Sequence, residues 1–272
     1  MGWHVKDKLP QRSKLGAGPV VELGSGDGQE MGSAVEWVRE KLGFVPDAVQ
    51  RRVLATGTKR GLLNCTRQWG KSTVTAAKAV HHAANEAGSL TLVVSPSARQ
   101  SAEFLRKAEG FARTAGFKVK GDGDNEISME LPNGSRIVGL PGSEATVRGF
   151  SAVSLLLVDE ASRVTDDLYM AIRPVMAVSN GTTWLMSTPH GKRGFFWETW
   201  DRGGPEWERV QVTAYDCPRI SAEFLEKERN GMTERWFRQE YLCEFTDEEN
   251  GIFERDVVEK AITEEVEELV FE

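Results

Sequence analysis

Cys65-Thr66-Arg67-Gln68-Trp69-Gly70-Lys71-Ser72-Thr73 decides how this chain is read. It follows a short apolar run, Leu62-Leu63, and opens a segment from Val74 to Ala87 with a helical pattern. Strand, Gly-Lys-Ser loop and helix, in that order, make a phosphate-binding unit, because the loop N–H groups and the helix N-terminus point at the anion. In such a unit Lys71 reaches the β- and γ-phosphates of a nucleotide and Ser72 sets its hydroxyl on Mg²⁺. Gln68, Gly70 and Thr73 complete the cradle. The pattern departs from the usual one at Cys65, where the loop ordinarily begins with Gly. A lone Gly-Lys-Ser is a weak signal and needs a second motif beside it.

Leu155-Leu156-Leu157-Val158-Asp159-Glu160 is that second motif. Consecutive large aliphatics suit a strand buried on both faces, as in a parallel sheet. Asp159 at its C-terminal end is placed to hold Mg²⁺, directly or through water, and Glu160 to orient and deprotonate an attacking water. The 88 residues from Lys71 to Asp159 leave room for the intervening βα units. Alone, the run reads as a buried strand closed by solvated acids; with the phosphate loop upstream, nucleotide hydrolysis is the better reading.

A chain of 272 residues buries one large core or two modest ones. No apolar run approaches membrane-spanning length, and Met1 to Lys8 lacks a secretory apolar core. Three widely spaced cysteines, Cys65, Cys217 and Cys243, argue for reduced thiols in a cytoplasmic setting. The net charge of −7 is uneven: residues 244–272 hold twelve Asp/Glu against two Lys/Arg, which leaves the first 243 residues mildly basic. That balance permits DNA contact without requiring it.

Residues 1–32 read as a flexible, Gly-containing leader. Within it, Val20-Val21-Glu22-Leu23-Gly24-Ser25-Gly26-Asp27-Gly28 is similar to the first motif of class I methyltransferases. The helical segment Ala34–Leu42 then runs into Gly43-Phe44-Val45-Pro46 with no following strand, so a plain Gly-rich loop is the favoured reading. Pro46 fits the first turn of a helix from which Gln50 projects, its amide able both to donate to and to accept from adenine's edge. The rival reading is an ordinary capped helix with an exposed Gln. Further strands are expected at 90–94, 182–186 and 207–213. A hairpin is expected around Pro132-Asn133-Gly134, a helix from Ser97 to about Ala115, and two closing helices at 221–230 and 233–243. This alternation implies an α/β fold with a mostly parallel sheet.

Taken together these blocks resemble the large terminase subunit of tailed bacteriophages, from about Phe44 to Phe253. The blocks are Phe44…Pro46…Gln50; Thr66-Arg67-Gln68-Trp69-Gly70-Lys71-Ser72; Val147-Arg148-Gly149 ahead of Asp159-Glu160-Ala161; Ser187-Thr188-Pro189-His190-Gly191; and Phe237-Arg238-Gln239-Glu240-Tyr241…Glu244-Phe245. The resemblance implies a RecA-like P-loop NTPase of the ASCE division, its sheet flanked by helices, with a small C-terminal helical lid. The expected division is a core at 33–213, a lid and linker at 214–253, and an acidic tail at 254–272.

The resemblance further implies an Mg²⁺-dependent ATPase that moves double-stranded DNA into a capsid. Its partners would be the portal and capsid, a small terminase subunit, and further copies in a homo-oligomeric ring, in the cytoplasm of an infected bacterial host. Such proteins continue into a nuclease domain, which this sequence is expected to lack. Arg67 is then a γ-phosphate stabiliser or hydrolysis sensor, or a surface Arg pairing with an acid. Arg148 suits an arginine finger reaching a neighbouring subunit, or a structural salt bridge. Ser187 and Thr188 suit coupling of hydrolysis to movement, or capping of the next turn. Arg106, Lys107, Arg113, Lys118, Lys120, Lys192 and Arg193 are candidate DNA phosphate contacts or solvated helix faces. The alternatives weighed are one RecA-like half of a superfamily 2 helicase and a non-catalytic nucleotide-gated scaffold.

Overall fold

The structure, a computed structural model, describes residues 28–141 and 149–247. Arg148 and the methyltransferase-like string up to Asp27 lie outside the described residues. In chain order the elements are α1 (Gly28–Leu42), α2 (Ala48–Ala55), β1 (Arg60–Cys65), α3 (Lys71–Asn85), β2 (Leu90–Ser95) and α4 (Ala98–Thr114). Next come β3 (Ser128–Glu130), β4 (Arg136–Pro141), β5 (Leu155–Asp159), α5 (Asp166–Ile172), β6 (Thr182–Ser187), α6 (Gly194–Arg202), β7 (Glu208–Val212), α7 (Ala222–Gly231) and α8 (Glu234–Tyr241). The seven-stranded sheet has the order β3-β4-β2-β5-β6-β1-β7. All neighbours are parallel except the hairpin β3–β4, which Pro132-Asn133-Gly134 closes with Gly134 at φ 79°. Only Gly tolerates that angle without strain.

The aliphatic runs become central strands because both sheet faces are covered. On one face Leu63, Val93, Leu155, Leu157 and Met186 pack under α1 to α4. The alternate residues Leu62, Leu92, Val94, Leu156 and Val158 meet Leu168 and Ile172 of α5 and Phe195 and Phe196 of α6. Leu225 and Phe237, from α7 and α8, form with Ala214 a third small cluster, the core of the C-terminal lid. The sheet ends that carry the motifs therefore lie along one edge, where β1, β5 and β6 all finish.

Two expectations shift. Helix α1 starts at Gly28, inside the stretch read as leader. Pro46 precedes the N-cap rather than lying in the first turn: Asp47 caps α2 and Gln50 occupies its third position in a reciprocal capping box. At the other end of α2, Lys78 of α3 donates to the Val53 carbonyl at 3.0 Å. Its ammonium stands 5.2 Å from the centroid of the Trp184 ring, and burial lowers its pKa to about 8. Helix α2 is thus fixed from both ends. The cysteines are free and buried; burial pushes the Cys65 thiol well up and the Cys243 thiol to about 12.

Gly61 of β1 pairs in register with Trp184 of β6, whose side chain is fully buried. A methyl at position 61 would overlap the indole ring. Gly61→Ala is therefore expected to cost on the order of 3 kcal/mol of stability. Urea unfolding measures this, and a variant as stable as the parent would show that the ring can yield.

Candidate active site

The phosphate loop joins β1 to α3. Gln68 and Gly70 both adopt left-handed backbone, φ 64° and 97°, and so turn the chain tightly enough to start α3 at Lys71. Gly70 is the N-cap of α3 and supplies no side-chain oxygen, which leaves the helix start with donors of the kind an anion takes. In the first turn, Thr73 N–H donates to the Gly70 carbonyl at 3.0 Å. Cys65 does not disturb the loop, because it is the last residue of β1 and packs into the core. Lys71 is only 7% exposed and its ammonium donates to the carbonyls of Cys65 (2.7 Å) and Thr66 (3.1 Å).

Ser72 Oγ donates to Asp159 Oδ2 at 3.0 Å. This bond unites the two sequence motifs. Burial, and then the neighbouring Glu160 charge, raise the Asp159 pKa from 3.8 to about 6, against the Ser72 hydrogen bond and Lys71. Glu160 is in the left-handed region at φ 52°, and its N–H donates to Asp159 Oδ1 at 3.1 Å. A non-Gly residue held there is strained, and such residues cluster at functional sites. Glu160 Oε2 accepts from Ser187 Oγ at 3.5 Å. Ser187 Oγ also lies 2.7 Å from Ser162 Oγ, and Ser162 donates to the Thr188 carbonyl at 2.8 Å. The Thr188 hydroxyl is fully buried with no hydrogen-bond partner among the described residues.

Arg67 Nε donates to Glu240 Oε2 at 2.6 Å, and Arg163 reaches the other carboxylate oxygen at 3.5 Å. The Glu240 carbonyl accepts from Thr66 Oγ1 at 3.0 Å. Helix α8 is thereby fastened to the phosphate loop. Gln50 is 2% exposed, not projecting: Oε1 accepts from Asp47 N–H (3.0 Å) and Nε2 donates to the Trp69 carbonyl (3.0 Å). Its spacing to the loop marked it in the sequence, while its contact with the loop backbone was not visible there. Asp47, Ser162, Arg163, Arg219 and Glu240 were not singled out as site residues in the sequence, although Asp47 and Glu240 fall within the spans of the quoted blocks. Of the basic residues considered for DNA, Arg106 pairs with Glu103, Arg113 with Glu109, Lys120 with Glu130 and Lys192 with Asp247.

A family model described as "Terminase large subunit, T4likevirus-type, N-terminal" matches residues 62–260. The large terminase subunit of Escherichia phage T5 is 26% identical over 169 residues, 60% of this chain and 39% of that protein. That of Thermus virus P23-45 is 25% identical over 250 residues, 79% of this chain and 51% of that protein. The chain thus spans about half the length, or less, of these curated relatives. The large terminase ATPase domain of Thermus phage P74-26 superposes with a TM-score of 0.68 at 22% identity, covering 76% of this chain and 97% of that one. At that identity the likeness is one of fold.

Because the folded pKa of Asp159 lies above its ordinary value, ionising it opposes folding. The penalty is absent below about pH 4 and complete above about pH 6. Asp159→Asn keeps an oxygen for Ser72 and removes the charge. In chelator near pH 7.5 it is expected to stabilise the fold by about 2–3 kcal/mol, with the gain gone near pH 4. Urea unfolding at both pH values tests this; an equal effect at the two would refute it.

Proposed function

Since the chain belongs to the T4likevirus-type terminase large-subunit family, we propose that it hydrolyses ATP with Mg²⁺ to drive double-stranded DNA into a viral capsid. The observation that carries this reading is the Ser72–Asp159 hydrogen bond beside a buried Lys71 at the mouth of a left-handed Gly70 turn. Hydroxyl and carboxylate are hard oxygen donors, and a desolvated carboxylate that holds its proton up to about pH 6 is short of positive charge, so the pair fits Mg²⁺. The ion, when bound, offsets the charge of the phosphate oxygens.

The chain's own residues account for the rest of the chemistry. Lys71, with the N–H groups of Gly70 to Thr73, binds the phosphates. Glu160 accepts a proton from the water that attacks the γ-phosphorus, as the bond to the β–γ bridging oxygen breaks and ADP leaves. Ser187, within reach of Glu160, and Thr188 link that base to the end of β6. Arg67, more than half exposed, is free to exchange Glu240 for phosphate oxygens. Gln50 places the base end of the nucleotide relative to the loop. The proposed partners are DNA, portal and capsid, a small terminase subunit and sibling copies in a ring, in the host cytoplasm. No helix among the described residues is long and apolar enough to cross a membrane.

Lys71→Ala is expected to abolish ATP binding, and Glu160→Gln to keep binding while losing at least about a hundredfold in turnover. Nucleotide titration and phosphate release measure the two. Normal turnover in Glu160→Gln would remove the assigned base, and the absence of turnover in assembled parent protein would favour a non-catalytic scaffold.

We assign Arg148 to the ATP of a neighbouring subunit, since a guanidinium binds two phosphate oxygens at once and Gly149 follows it in the chain. Mixed rings of Arg148→Ala and Lys71→Ala subunits are expected to regain activity that each lacks alone. Mixed rings that form and stay inactive would refute action in trans.

A further inference from the structure

Two segments meet beside the assigned base, Glu160, and a row of hydroxyl oxygens joins them. One segment is the short helical turn Ala161–Arg163, which starts from the left-handed Glu160. Arg163 holds that turn to Glu240 of α8. The other segment is the end of β6, where Ser187 and Thr188 are fully buried. Ser162 Oγ lies 2.8 Å from the Thr188 carbonyl and 2.7 Å from Ser187 Oγ. A hydroxyl has one proton to give and lone pairs to accept with. The Thr188 carbonyl can only accept, so Ser162 gives its proton there. Ser162 then has none for Ser187 and accepts from it. Ser187 thus has one proton for two acceptors, Ser162 at 2.7 Å and Glu160 Oε2 at 3.5 Å. The longer contact is at the outer limit of a hydrogen bond, so the proton is drawn to Ser162. The order of donors is set from the carbonyl end, and a lone pair of Ser187 Oγ is left for Glu160.

We propose that Ser162 is a positioning residue for the hydrolytic step: it draws the Ser187 proton away from Glu160, so that Glu160 stays free to take a proton from water. This rests on the nucleotide-hydrolase reading above. A carboxylate that receives a hydrogen bond is held in its charged form and is the weaker base for it. With the Ser187 proton turned to Ser162, Glu160 is spared that donor. Once Glu160 has taken the proton from the attacking water, it becomes a donor itself, and the Ser187 lone pair is the acceptor beside it. The row then runs one way: Glu160 O–H to Ser187 Oγ, Ser187 O–H to Ser162 Oγ, and Ser162 O–H to the Thr188 carbonyl. Each serine keeps its own proton, and the one from water stays on Glu160. The same oxygens therefore favour the protonated base over the ionised one, which is the direction the reaction takes. Without Ser162, the Ser187 proton turns to the Glu160 carboxylate and that preference is reversed.

Phosphate release by the assembled full chain, with titration by ADP and Mg²⁺ alongside, tests the assignment. Ser162→Ala is expected to lower kcat about tenfold and to leave ADP affinity within about twofold of the parent. Ser162→Thr keeps a hydroxyl and should hold kcat to within about threefold. A double-mutant cycle with Ser187→Ala cuts the row between Ser162 and Glu160. In that background Ser162→Ala should change kcat by less than about twofold. A residue that only braces the turn through the Thr188 carbonyl would cost as much in either background. Parental kcat in Ser162→Ala, a loss that persists in full beside Ser187→Ala, or a Ser162→Thr variant as slow as Ser162→Ala overturns the assignment. So does a Ser162→Ala chain that loses ADP binding along with turnover, since the residue is then structural. An assembled parent without turnover would instead overturn the hydrolase reading itself.

Discussion

One hydrogen bond, from Ser72 to Asp159, ties together segments 87 residues apart, and the rest of the site is arranged around it. It exists because β5 and β1 lie on either side of β6 in a parallel sheet and all three end on the same edge. Parallel strands put their C-terminal ends together, and ligands bind at that edge in open α/β sheets. The bond has a cost. Asp159 is buried beside Glu160 and takes only partial relief from Ser72 and Lys71, so burial and that neighbouring charge disfavour its ionised form. In the proposed ATPase this electrostatic deficit is what makes the pocket receptive to a divalent ion.

The lid is coupled to that edge by main-chain acceptors. Thr66 holds the carbonyl of Glu240, while Asn64 and Gln211 both donate to the carbonyl of Cys243, at 2.8 and 3.0 Å. Donors from β1, from β7 and from the phosphate loop thus grip the chain at and just beyond α8. Glu240 adds its carboxylate, shared between Arg67 and Arg163. If Arg67 leaves, the Glu240 carboxylate keeps only the longer contact with Arg163, at 3.5 Å. Movement of Arg67 toward phosphate would therefore be felt in α8 and, through Arg163, in the turn that follows Glu160.

Much of the sheet was legible because its signals are local. The run Leu155–Val158 suits a buried strand, Pro132-Asn133-Gly134 is a good hairpin signal, and the Gly-Lys-Ser step, read with the Asp159-Glu160 motif, marks a helix start. Helices α5 and α6 were not anticipated. The first has seven residues, too few to establish a helical period, and the second opens on Gly194 with aromatic residues that suit either state. Within the site, Lys71, Ser72, Asp159 and Glu160 were named from their motifs, whereas Glu240 and Arg219 were not singled out. Arg67 and Glu240 are 173 residues apart and Arg219 and Trp69 are 150 apart, and nothing in the local sequence says that such pairs meet. Gln50 shows the mixed case. Its position in the chain was informative, but its role in the capping box depends on Asp47 and its role at the loop depends on a backbone carbonyl.

The three buried thiols have a consequence for how this protein can be handled. The thiolate is the nucleophile toward thiol reagents, and a group with a pKa of about 12 is ionised to only about one part in 10⁵ at neutral pH. Cys65 is held higher still by burial, and Cys217 is enclosed in the core. Maleimide and iodoacetamide should therefore pass over the native side chains while the fold is intact. A single cysteine introduced on the surface of α7 would accept a fluorophore without prior removal of the other three. The native thiols would then report unfolding, since they become reactive only when the sheet and lid come apart.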